Sequence, residues 1–281
     1  MNIGVVLNRR KAGAEDVLAA IRRHVGNRGR VREYAEEGGS CGEQSADDFF
    51  AGIDVLISLG GDGTMLHSVQ LMGTADIPIM GINLGSLGFL TSVRPNQVEE
   101  AVDMLLCGRY ELSERTRLRL MIRHGGRVHV HYALNDVAIG WGGSPRIISL
   151  KVSIDGHYVT TYACDGLVVS TPTGSTGHSL SAGGPILQPD TEVFAISPIC
   201  PHTLTSRPLV IPSRSVIGVE LVDCAKELLL AVDGQECCSV RHGTVLEMAA
   251  FEQRVRFIHF PGYDYYAVLR SKLRRQGSSV S

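Results

Sequence analysis

The chain has 281 residues, 44% of them hydrophobic and 20% charged, enough core-forming material for one large domain or two ordinary ones. Its net charge of −2 supplies no global basic field for nucleic acid or an anionic membrane. Apolar runs are strand-sized, far short of the roughly 20 residues that a membrane helix needs.

In chain order, "IGVVLN" at 3–8 is the first expected strand. Basic residues follow the apolar run, the reverse of a secretory signal. Residues 14–25 carry apolar side chains at helical spacing, and 36–44 form a glycine-rich polar loop. "IDVLISL" at 53–59 is nearly all apolar, as in a strand buried on both faces of a parallel sheet. A helix over 65–72, a strand over 77–84 and a helix over 98–106 continue the alternation. After about Leu112 short alternating segments take over, joined by "HGG", "IDGH" and "VDGQ", the chemistry of tight hairpins. Residues 263–275 return to a helical pattern, and "QGSSVS" is a frayed tail.

The expected fold is therefore α/β plus β. An α/β domain over 1–112 precedes a β-rich, sandwich-like domain over 113–262, and 263–281 packs back on the first. The cysteines, seven in all, are scattered with no C-x-x-C pair for zinc or redox chemistry, and adjacent Cys237 and Cys238 are poorly placed for a disulfide. That usage predicts a cytoplasmic protein with reduced thiols.

Two stretches carry chemistry. In "ISLGGDGTMLHSV", 57–69, glycines let backbone approach a ligand, and the helix that follows offers free N–H groups and a positive dipole end. Asp62 there has three readings: a cap for the helix, a base for a substrate hydroxyl, or a ligand for a metal carried by a nucleotide. The last two both belong to phosphoryl transfer. "STPTGSTGHSLSAGGPI", 170–186, concentrates hydroxyls and glycines after a strand, which suits a loop wrapping a ribose or pyrophosphate better than a core.

Four blocks together resemble the NAD kinase family: "GGDGT" (60–64), "GINLGSLGFLT" (81–91), "ALND" (133–136) and "DGLVVSTPTGSTGHSLSAGGPI" (165–186). The order and spacing match over nearly the whole chain, and the resemblance implies a Rossmann-like first domain. It implies that Asp62, flanked by Gly63, is the base for the adenosine 2′-hydroxyl of NAD, which attacks the γ-phosphate of ATP. By the same resemblance Asn135 and Asp136 hold ribose hydroxyls, although many members carry Glu at the second position. Asp165 matches an acid at the nicotinamide end. Thr176, Gly177, His178, Ser179, Leu180 and Ser181 match a "TAYSLS" stretch, with Gly177 and His178 replacing Ala and Tyr. Phe89 matches an aromatic near the adenine, with a core position as its competing role. His67, Arg146 and Gln235 are weaker candidates, and Ala163 stands where some members are basic.

The resemblance further implies ATP and NAD as substrates, magnesium or manganese arriving with the donor phosphates rather than in a protein cage, and a homodimer or homotetramer. The rivals are a lipid kinase sharing the "GGDGT" turn and an NAD sensor without turnover. A Rossmann dehydrogenase is disfavoured, because "LNRRKAG" rather than G-x-G-x-x-G follows the first strand.

Overall fold

The computed structural model describes residues 1–34, 46–85, 88–141, 147–203, 205–223 and 227–277. They divide into two compact units, Met1–Glu114 with Val255–Ser281, and Arg115–Arg254. The return to the first unit begins inside a strand, eight residues before Tyr263.

In the first unit, β1 (Asn2–Leu7), α1 (Ala14–Val25), β2 (Arg30–Tyr34), α2 (Ala46–Phe50), β3 (Val55–Gly60), α3 (Asp62–Met72), β4 (Ile79–Asn83) and α4 (Val98–Leu106) follow one another. The strands are parallel in the order β2–β1–β3–β4. Every residue of β3 is buried, because both faces are covered. Val55, Ile57 and Leu59 pack with Leu18 and Ile21 of α1 and Val102 and Leu105 of α4. On the other face a buried Ser68–Ser58 hydroxyl pair, 3.0 Å apart, ties α3 to β3.

The second unit holds β5 (Glu111–His124, its first four residues in the first unit), β6 (Arg127–Ala133), β7 (Asp136–Trp141), β8 (Ile148–Ile154), β9 (His157–Cys164), β10 (Gly166–Ser170), α5 (His178–Ser181), β11 (Val193–Ile199), β12 (Leu209–Pro212), β13 (Ile217–Asp223), β14 (Leu228–Val232) and β15 (Gln235–Val240). The chain ends with β16 (Val245–His259), whose last residues belong to the first unit, and α6 (Tyr265–Gly277). One antiparallel sheet runs β12–β11–β10–β7–β14–β15; in the other, β16, β13, β8 and β9 lie side by side. Their shared core includes Leu120, Ile139, Leu150, Val169, Phe194 and Leu230. At the β8–β9 and β14–β15 turns both central residues have positive φ, Asp155 with Gly156 and Asp233 with Gly234, as two-residue hairpins require.

The structure departs from the sequence expectations at two places among the described residues. The helix after the glycine turn starts at Asp62, three residues before the first apolar position, Met65, that the sequence pattern marks. The alternating run 127–140 is two strands in different sheets, broken at Leu134 and Asn135. The strand expected before the hydroxyl-rich stretch is β10, which stops at Ser170, and a 3-10 turn, Thr173–Thr176, follows it. The expected loop at 36–44 and the last residues of the tail lie outside the described residues.

Candidate active site

In the first unit the chemistry gathers where β3 ends. Gly61, extended, precedes α3, and Asp62 is the first residue of the helix. Its carboxylate turns away from the helix to the loop after β4, accepting the N–H of Phe89 at 2.8 Å and of Leu90 at 3.0 Å. Asp62 is thus a loop anchor rather than a helix cap, and each oxygen keeps a lone pair for a further donor. Glycine is needed on both sides of this contact. A Cβ on Gly60 would lie 2.2 Å from Thr64 Oγ1, and one on Gly88 would lie 1.8 Å from Asp62 Oδ1. Thr91 closes the loop, its hydroxyl accepting from Asn83 Nδ2 at 2.9 Å and from the Gly88 amide at 3.1 Å.

Gly63 is exposed with open space around it, and His67 lies half-buried one turn along α3. Phe89 is half-buried, with the Lys272 ammonium of α6 over its ring, 5.9 Å from the ring centre. Gly88→Ala should push Asp62 off its amides and lower turnover by about 10- to 100-fold at little change in secondary structure. Steady-state kinetics with circular dichroism checks this.

In the second unit the break between β6 and β7 is built on a residue that the sequence reading passed over. Asp233, at the tip of the β14–β15 hairpin, is buried and accepts the amide hydrogens of Leu134 at 2.9 Å, Asn135 at 2.7 Å and Asp136 at 3.2 Å. Burial pushes its carboxyl up to about 6, against the pull of those three amides and with the nearby Asp136 adding to the rise. The signal available in the sequence was "VDG", readable only as a turn. Gln235, singled out there instead, is exposed at the start of β15.

Asp136 is 1% exposed, pairs with Ser170 across β7 and β10, and accepts from His178 Nδ1 at 3.0 Å. That hydrogen bond and the charge of Asp136 raise the His178 pKa, with burial opposing, although 58% of the His178 side chain is exposed. His178 therefore clamps the acid beside it. Gly177 lies against the other Asp136 oxygen, 3.5 Å from where its Cβ would be. Gly174 has no room for a side chain, since a Cβ would lie 2.1 Å from the Asn135 carbonyl oxygen. Thr176 and Leu180 are half-buried, Ser179 is buried against Ser197 at 3.0 Å, and Ser181 is exposed.

Around this turn Asn135 Oδ1, Ser170 Oγ and Thr173 Oγ1 are buried with no hydrogen-bond partner among the described residues. Buried polar atoms are rarely left so, and a cluster of them suits water or a polar ligand. The structure thus brings together Asn135, Asp136, Gly177 and His178. Asp165 stands apart, at the opposite end of β10 about 17 Å along the strand by its rise per residue. His202 Nε2 lies 4.0 Å from its carboxylate. Arg146 lies outside the described residues.

A parallel α/β unit with a glycine–carboxylate turn, and a β-sandwich unit with an acid–amide turn and orphaned polar atoms, define a nucleotide-dependent phosphotransferase. The family models for the ATP-NAD kinase N-terminal and C-terminal domains match residues 3–110 and 134–260, and the chain belongs to the NAD kinase family. An NAD kinase of Geotalea daltonii is 43% identical over 229 residues, 81% of each chain. One of Moorella thermoacetica is 38% identical over 282 aligned positions, 98% of this chain and 90% of that one. Among solved structures, an NAD kinase from Archaeoglobus fulgidus in complex with ATP has a TM-score of 0.76 at 26% identity, covering 98% of this chain and 99% of its own. Yeast NADH kinase complexed with NADH shares the fold at a TM-score of 0.86 and 24% identity, covering 100% of this chain and 89% of its own.

Proposed function

We propose that this chain transfers the γ-phosphoryl group of ATP to the 2′-hydroxyl of the adenosine ribose of NAD, giving NADP. Membership of the family supports the reaction. The observation that carries the assignment of residues is the buried, unpartnered Asn135 Oδ1 beside the clamped Asp136 carboxylate, a pair of acceptors suited to vicinal ribose hydroxyls. In this reading Asp62 takes the proton of the attacking hydroxyl, and the glycine backbone of the turn faces the donor phosphates. Thr176 to Ser181 line the bases, with Phe89 beside the adenine. Asp165, at the far end of β10, meets the nicotinamide end of an elongated ligand.

Among the described residues no group of three or more His, Cys, Asp or Glu side chains forms a metal cage. In this reading the cation, magnesium or manganese, enters on the donor phosphates, as hard cations commonly do in such reactions. No helix of the described residues is long and apolar enough to cross a membrane. We place the protein in the cytoplasm as a homodimer or homotetramer, which size-exclusion chromatography with light scattering tests.

Incubating the pure protein with NAD, magnesium and ATP or polyphosphate, and assaying NADP, tests the reaction and its donor. Asp136→Ala should raise KM for NAD and lower kcat together, because a hydroxyl contact and its alignment are lost at once, while KM for ATP moves little. Unaltered NAD kinetics with a lower melting temperature would reduce the Asn135–Asp136 turn to a structural one.

A further inference from the structure

Cys237 and Cys238 lie on β15, the strand that leaves the Asp233–Gly234 turn. In a regular strand consecutive side chains point to opposite faces, which would hold neighbouring thiols apart. Here the ladder slips. Leu230 faces Cys238 and Ala231 faces Glu236, so Cys237 is the extra residue of a β-bulge. The bulge turns the two thiols toward each other, with Sγ–Sγ 3.7 Å, and the Cys237 thiol also donates to the Leu230 carbonyl at 3.3 Å. Both residues are half-buried.

This arrangement is wrong for a disulfide and right for a bridging atom. A disulfide needs sulfurs at about 2.05 Å and Cα atoms roughly 4.4–6.8 Å apart, whereas consecutive trans residues hold theirs at about 3.8 Å. A pyramidal centre with bonds of about 2.3 Å to two sulfurs at an angle of roughly 100° spans about 3.5 Å between them, close to the 3.7 Å found here.

We propose that Cys237 and Cys238 form a bidentate site for thiophilic ligands, fitted to monosubstituted trivalent arsenicals. The oxide RAs=O condenses with both thiols. Two S–H bonds and the As=O bond break, two As–S bonds form, and the protons leave with the oxygen as one water while arsenic stays trivalent. The same hairpin carries Asp233 at its tip, so a ring closed on the bulge disturbs the strand that holds the Asn135–Asp136 turn.

Phenylarsine oxide is the probe, added to the wild type and to Cys237→Ser and Cys238→Ser. The wild type should take up one arsenical per chain by intact mass, lose two titratable thiols, and release the adduct to a dithiol but not to an equal concentration of monothiol. Each single variant should bind about 10²-fold more weakly, because the second sulfur no longer acts at high effective concentration. No adduct on the wild type overturns the site. So does full affinity in both variants, which would put the adduct elsewhere, for example on exposed Cys107 or Cys200. The loaded wild type should also show a raised KM for NAD with KM for ATP unchanged. That arm rests on the NAD kinase reading and the binding arm does not. A bidentate adduct with both constants unmoved would overturn the link to the Asp233 turn.

Discussion

Asp62→Asn should lower kcat by about 10²–10⁴-fold while leaving KM for NAD within a few-fold, the span expected when a positioned base is removed. The amide keeps the shape of the carboxylate but loses its basicity. Its geometry makes the variant informative. The wild-type carboxylate accepts two amide hydrogens, from Phe89 and Leu90, one on each oxygen. Asparagine has one acceptor oxygen, so one of these amides meets an NH2 instead, at a cost in loop anchoring of about 1–3 kcal/mol. Asp62→Ser, too short to reach either amide, separates the two duties. If loss of the base dominates, Asn and Ser are equally inactive, and the melting temperature falls more in Ser. If loop position dominates, Asn retains far more activity than Ser. Turnover in Asp62→Asn within a few-fold of wild type would remove the general-base role.

The framework of both units was legible in the sequence because burial leaves a pattern. The apolar run ending at Leu59, the helical spacing over Ala14–Val25 and the "DG" turns at 155–156 and 233–234 each follow from local rules, and the structure has β3, α1 and two hairpins there. What could not be read is long-range and polar. Residues 127–140 alternate apart from "ALND" at 133–136, and nothing local says that the chain leaves one sheet for another there. The cause lies about a hundred residues away, in a carboxylate that collects three amides. His178 stands in the sequence only as the replacement of a Tyr, yet its partner is Asp136, 42 residues earlier in the chain. Likewise the adjacent cysteines read as a poor disulfide, and only the slipped register of β15 makes them a facing pair.

Asp233 should carry the largest stability effect outside the apolar core. Asp233→Ala leaves the buried amides of Leu134 and Asp136 without their acceptor. At about 1–3 kcal/mol for each orphaned amide the loss is on the order of 2–6 kcal/mol, offset in part by relief of a buried charge beside Asp136. KM for NAD should rise with it, since the same amides fix the Asn135–Asp136 turn. Asp233→Asn keeps an acceptor oxygen and exposes the titration. The wild-type carboxyl is raised to about 6 from 3.8, so between those two values the folded protein binds more protons than the unfolded chain. Its stabilising contribution is therefore full below about pH 4 and declines as pH rises through about 6. Between pH 5 and pH 7.5 the wild type should lose about 1 kcal/mol that the amide variant does not lose, or about 2–4 °C in melting temperature for a chain of this size. Melting both proteins at the two pH values measures the difference directly. A wild-type advantage that stays constant or grows toward pH 7.5 would mean that Asp233 is ionised throughout, with its three amides outweighing burial.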